Sequence, residues 1–184
     1  MKRFIILWVI GCLAAANVCA KVPATHHKIR LTENWEFLRQ DVGNIWELIR
    51  PVKKGQPEEQ PLWTKVTLPH CFNAEDAVDP DVNYYQGPGW YRTRLKISNP
   101  YPGGRTVLEF EGAGQKTEVY VYNVKVGSHV GGYDSWNVDI TDAVAAFRAG
   151  KEAERFGGEI PLSIRCDNTR DCLLYTSDAA DDMQ

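Results

Sequence analysis

Glycines and aromatics are joined twice in this chain of 184 residues, at Asn83-Tyr84-Tyr85-Gln86-Gly87-Pro88-Gly89-Trp90-Tyr91-Arg92 and at Gly127-Ser128-His129-Val130-Gly131-Gly132-Tyr133. Glycine permits turns that other residues resist, and a Tyr or Trp ring left open at such a turn offers an apolar face with a polar edge. That combination suits stacking against the apolar face of a sugar ring. The same residues suit a second role, because Trp90, Tyr91 and Trp136 also fit the core of a β-sandwich.

Two other clusters invite chemistry and fail on spacing. Gly112-Ala113-Gly114-Gln115-Lys116-Thr117 looks like a phosphate loop, but that motif needs glycine where Phe110 and Gln115 stand and a helix where a strand is predicted. A tight hairpin turn is the expectation. Asp79-Pro80-Asp81-Val82-Asn83 opens like a calcium loop, yet Tyr84 replaces the required glycine and Trp90 the closing glutamate. It reads as an acidic surface loop. No metal ligand set or cofactor motif is predicted, and the adjacent His26 and His27 read as part of an exposed leader.

The elements that must position these residues follow from periodicity. Tyr91, Thr93, Leu95 and Ile97 alternate with Arg92, Arg94 and Lys96, which describes a half-buried strand over Trp90 to Ser98. Strands are also expected at Arg105 to Glu111, Thr117 to Tyr122 and Ile160 to Cys166, the last stopped by Asp167-Asn168. Turns fall at Asn99 to Gly104, at Gly112 to Gly114 and at Asn123 to Lys125. One short helix, Asp142 to Phe147, has Thr141 or Asp139 as its cap and Gly150 as its end. Pro51 to Gln60 is a solvated loop by composition. The fold class is all-β, an antiparallel sandwich.

With 43% hydrophobic residues the chain has material for one core, and a formal net charge of -3 argues against a nucleic-acid partner. Residues 1–20 read as a signal peptide: Lys2 and Arg3 precede an apolar run, and Val18-Cys19-Ala20 offers a cleavage site, so export to the periplasm or beyond is expected. Val9-Ile10-Gly11-Cys12 also resembles a lipobox, which would instead place a lipid on Cys12. Residues 21–27 form a leader. Of the five cysteines, Cys71 and Cys166 belong to the domain; in an oxidising compartment they either bridge or remain two separate thiols.

Taken in order, Val66-Thr67-Leu68-Pro69-His70-Cys71-Phe72-Asn73, Tyr85 to Arg92, Leu108 to Gly112, Val119 to Asn123, Val126 to Tyr133 and Asn137-Val138-Asp139-Ile140-Thr141 closely resemble the N-terminal jelly-roll domain of glycoside hydrolase family 2. This is the family of β-galactosidases, β-glucuronidases and β-mannosidases. The resemblance covers residues 28–171, with Arg39 to Pro61 matching least, and implies a jelly-roll, galactose-binding-like sandwich. It implies a parent enzyme, expected to be of β-galactosidase type, whose two catalytic glutamates lie in a separate (β/α) barrel beyond this chain, so the fragment alone is expected to be inactive. It also implies that Asn73, Asp76, Asp167 and Asn168 sit on loops that help form a sugar subsite. His70, Asn73, Asp76 and Asp167 serve equally well as turn and cap residues. A stand-alone carbohydrate-binding module is the alternative to a fragment of an enzyme.

The pattern breaks after Asp171. Residues 172–184, with Cys172 among them, resemble a translated sequencing-library adaptor rather than the family's continuation. The expectation is a sandwich that lacks its last strands.

Overall fold

The computed structural model describes residues 26–49 and 63–170. The signal peptide with Cys12, the loop at Pro51 to Gln60 and the adaptor-like tail lie outside the described residues. The chain divides into two units, Met1–Arg30 and Leu31–Gln184, and the strands and helices belong to the second.

Among the described residues, eight strands and three short helices run β1 (Trp35–Leu38), α1 (Ile45–Ile49), β2 (Thr64–Val66), β3 (Pro88–Leu95), β4 (Val107–Phe110), β5 (Lys116–Val121), β6 (Val124–Val130), β7 (Trp136–Asp139), α2 (Thr141–Ala149), α3 (Glu152–Arg155) and β8 (Ile160–Asp167). They form a six-stranded sheet in the order β2-β1-β3-β8-β5-β6 and a two-stranded sheet of β4 and β7. Every pairing is antiparallel. This is the all-β antiparallel sandwich expected from the sequence.

Alternation explains the layers. Tyr91 and Leu95 of β3, Ile160, Leu162, Ile164 and Cys166 of β8, and Val119 and Val121 of β5 share one face of the large sheet. They pack against Val138, Ile140 and the helix residues Val144 and Phe147. Ile140, Ile160, Leu162 and Val119 are fully buried, each worth about 1.5–3 kcal/mol of apolar burial. β8 lies centrally between β3 and β5, and its unbroken burial from Ile160 to Ile164, Ser163 included, reflects cover on both sides of the sheet.

The opposite face of the sheet is roofed where the sequence predicted solvent. Trp90, Leu38, Leu48 and Ile49 form a second apolar cluster, with α1 supplying two of its members. Arg92 points into this roof. Its guanidinium lies 3.9 Å above the Trp63 ring, pairs with Glu36 at 2.7 Å and donates to the Leu48 carbonyl.

Three expectations change. Gly112 to Gly114 is no hairpin turn: β4 pairs with β7 and β5 with β6 and β8, so these residues carry the chain from one sheet to the other. The β5–β6 turn lies at Tyr122-Asn123, one residue earlier than expected, with Tyr122 in the left-handed region at φ 54°. Gly89 is already inside β3, and its requirement is space rather than dihedral freedom. A Cβ there would stand 2.8 Å from Cε2 of Phe37. The predicted helix is present as α2, ended at Gly150, whose N–H donates to the Phe147 carbonyl. Asp139 holds its start by accepting from the Thr141 N–H and hydroxyl.

Candidate binding site

Three of the four residues implicated by the resemblance meet in one hydrogen-bonded knot where the loop from His70 to Gly87 returns against the end of β8. Asn73 donates from Nδ2 to Asp76 Oδ2 and to the Tyr85 carbonyl, both at 3.0 Å. Asn168 donates to Asn73 Oδ1 at 2.8 Å and to the same Tyr85 carbonyl, and accepts from the Gly87 N–H at 2.8 Å. Asp76 Oδ2 also accepts from the Tyr85 N–H at 2.8 Å.

Asn73 and Asp76 are 6% and 5% exposed, so these bonds are made largely away from water. Burial alone would raise the Asp76 carboxyl. The Tyr85 N–H, the Asn73 amide and the Arg39 guanidinium at 3.3 Å outweigh it and hold the group below the ordinary aspartate value. Asp76 Oδ1 is buried without a hydrogen-bond partner among the described residues. Arg39 finishes the knot by donating to the Phe72 carbonyl at 3.0 Å and covering the Tyr85 ring.

Asp167 stands apart from the other three. Its carboxylate accepts from the Thr169 N–H at 2.9 Å and pairs with Arg165 at 3.1 Å, and Arg165 also reaches Asp41 at 3.2 Å. Burial opposes ionisation of Asp167, yet Thr169 and Arg165 together lower it. Asp41 is lowered as well, against its own burial, by the Trp90 indole and Arg165. The acidic row Asp41-Arg165-Asp167 and the amide knot therefore occupy separate side-chain networks at the end of β8.

Around them, Trp90 and Tyr91 of the first glycine-aromatic stretch belong to the core, whereas Tyr84 of the same stretch is half exposed. Trp90 is 3% exposed, and Tyr91 is packed among Phe37 and His70. His70 Nδ1 lies 2.9 Å from the Tyr91 hydroxyl, and burial lowers the imidazole. Cys71 and Cys166 are free thiols, Cys71 exposed and Cys166 buried on β8, with burial pushing the Cys166 thiol up to about 11. The second glycine-aromatic stretch differs: Tyr133 is wholly exposed.

The knot holds the loop from His70 to Gly87 against the end of β8. Each described carboxyl that departs from its ordinary value moves downward, opposite to the rise that a general acid at neutral pH requires. Among the described residues no group of three or more His, Cys, Asp or Glu could hold a metal ion. Arg39, Asp41 and Arg165 were not singled out from the sequence. Arg39 lies 33 residues from Phe72 and Asp41 lies 124 from Arg165, and nothing local marks such pairs.

Residues 41–153 match the family model for the sugar binding domain of glycosyl hydrolases family 2. The fold superposes on the apo structure of Bacteroides uniformis β-glucuronidase 3 with a TM-score of 0.76 and 71% identity, covering 79% of this chain and 19% of that one. It superposes on Parabacteroides merdae β-glucuronidase with a TM-score of 0.75 and 71% identity, covering 78% of this chain and 18% of that one. A β-galactosidase of Thermoanaerobacter pseudethanolicus is 27% identical over 111 residues, 60% of this chain and 14% of that protein. The chain thus spans about a fifth or less of the length of these relatives. A match from before β2 through β7 and α2, taking in both glycine-aromatic stretches, identifies the chain as a member of glycoside hydrolase family 2, carrying its N-terminal sugar-binding domain.

Proposed function

We propose that this domain serves an exported family 2 glycosidase whose reaction, the retaining hydrolysis of a terminal β-glucuronide or β-galactoside, is performed by two glutamates in a barrel encoded downstream. The relatives at 71% identity carry β-glucuronidase names, so β-glucuronides are the first substrates to test, and the β-galactoside reading comes second. One observation supports a supporting rather than catalytic part: the Asn73–Asp76–Asn168 knot fixes the His70-to-Gly87 loop against the end of β8. A loop so pinned presents its backbone and neighbouring side chains to a ligand with little ordering cost. Export follows the reading of residues 1–20 as a signal peptide.

The experiment is recovery of the uninterrupted reading frame beyond Asp171, followed by assay of nitrophenyl β-glucuronide and β-galactoside. The complete enzyme should turn over one of them, and the 184-residue chain neither. A native stop codon soon after the domain would sink the enzyme reading and leave a stand-alone binding module, a role that the open face of Tyr133 favours.

A further inference from the structure

We infer that Tyr133 is a stacking platform for a neutral pyranose ring, at a position separate from the Asn73–Asn168 knot; this rests on the sugar-binding reading above. The mount beneath it is rigid for identifiable reasons. Phe110 and Trp136 stack at 4.3 Å and 8°, and His129 stacks on the same Trp136 at 4.8 Å and 16°, giving a column of three rings that joins the two sheets. His129 Nε2 then lies 3.0 Å from Asp134 Oδ2, closing the loop from Gly131 to Asp134 over the top of that column.

Gly131 is required by this closure. Gly131 has φ 142°, and a Cβ on it would stand 2.5 Å from Asp134 Oδ1 and 3.0 Å from His129 Nε2. A Cβ on Gly132 would meet the Cα of Gly114 at 3.4 Å, so the tip rests against the strap that crosses between the sheets. The Gly131 N–H donates to the Gln115 carbonyl at 2.8 Å and secures the same contact.

Tyr133 projects from this mount with its side chain fully in water, whereas Trp90 and Tyr91 are buried. A tyrosine held on a fixed backbone with a free face loses little freedom when a ligand stacks on it. Beside it, the Asp134 side chain is 61% exposed and its carboxylate is lowered by the hydrogen bond from His129, which keeps it an acceptor. An ionised acceptor there favours the hydroxyl donors of an uncharged sugar and opposes a second carboxylate. The ligand class is therefore a neutral hexopyranoside rather than a uronic acid.

Saturation-transfer NMR and titration of the 184-residue chain with methyl β-galactopyranoside and methyl β-glucuronide test this. The galactoside should receive transfer mainly at its ring C–H protons and bind more tightly than the glucuronide. Tyr133→Ala should weaken binding by about tenfold or more, whereas Tyr133→Trp should keep it within about threefold, with unchanged circular dichroism in both. Asp134→Asn should narrow the gap between the two probes. Galactoside binding that is undiminished in Tyr133→Ala overturns the platform and leaves the sugar-binding reading in place. Failure of the unaltered chain to bind either probe also overturns it, while the family enzyme reading still stands or falls on turnover by the complete reading frame.

Discussion

Asn168 reaches back across 95 positions to donate its amide to Asn73, joining the end of β8 to the loop that precedes β3. The same side chain accepts from the Gly87 N–H and donates to the Tyr85 carbonyl. One residue thus satisfies polar groups on two segments that have no ladder bonds to each other.

Asn168→Ala removes all three bonds and leaves partly buried partners unsatisfied, so the expected loss is about 1–3 kcal/mol of unfolding free energy in a urea titration. Asn168→Asp should also destabilise, because a carboxylate cannot donate to Asn73 Oδ1 or the Tyr85 carbonyl. A loss within experimental error for both would show that the knot is not structural.

Gly89→Ala tests close packing rather than backbone conformation. The added methyl meets Phe37 at 2.8 Å, inside the aromatic group formed by Phe37, Tyr91 and Phe72, and overpacking of this kind costs about 1–3 kcal/mol. Thermal unfolding should show a lower midpoint. Gly89→Ala combined with Phe37→Leu should recover part of the loss, since the smaller side chain vacates the contested space.

How far the sequence reveals this molecule depends on the range of the interactions involved. The alternation of Tyr91, Thr93 and Leu95 against Arg92 and Arg94 is local, and β3 overlaps the strand it predicts, running Pro88–Leu95 rather than Trp90 to Ser98. The partners of β4 are not local: Val107 pairs with Asp139, and a strand followed by a glycine turn looks the same whether the chain folds back or crosses to another sheet. The roof over Trp90 escaped notice because α1 is five residues long and its burial arises only against the sheet. At the candidate site, Asn73, Asp76 and Asn168 were reachable through the family resemblance, whereas their bonds to one another and to Arg39 depend on loop closure that no spacing encodes.

Thiol chemistry separates the two domain cysteines. Cys71 is exposed, and Cys166 is buried with its thiol raised to about 11 by burial, so at pH 8 it is almost wholly protonated. Iodoacetamide should modify Cys71 within minutes and spare Cys166 until denaturant is added, as read by peptide mass mapping. Equal rapid labelling of both would contradict the packing of β8, and protection of both without reductant would indicate a bridge.

Acid stability should report the start of α2. The Thr141 hydroxyl, then its N–H, then the Arg105 guanidinium depress the Asp139 carboxyl to about 2, below the ordinary aspartate value of 3.8. A depressed carboxyl binds protons more readily in the unfolded chain than in the folded one, so its stabilisation is fully present above about 3.8 and is lost as pH falls towards about 2. Asp139→Asn should therefore be less stable than the unaltered chain at pH 7, with the difference shrinking across that window. Asp76, also depressed, should add to the same acid limb through the knot. Melting temperatures of Asp139→Asn and Asp76→Asn from pH 7 to pH 2 check this, and a difference that stays constant with pH would mean that the neutral side chains, not the charges, set the stability of these two junctions.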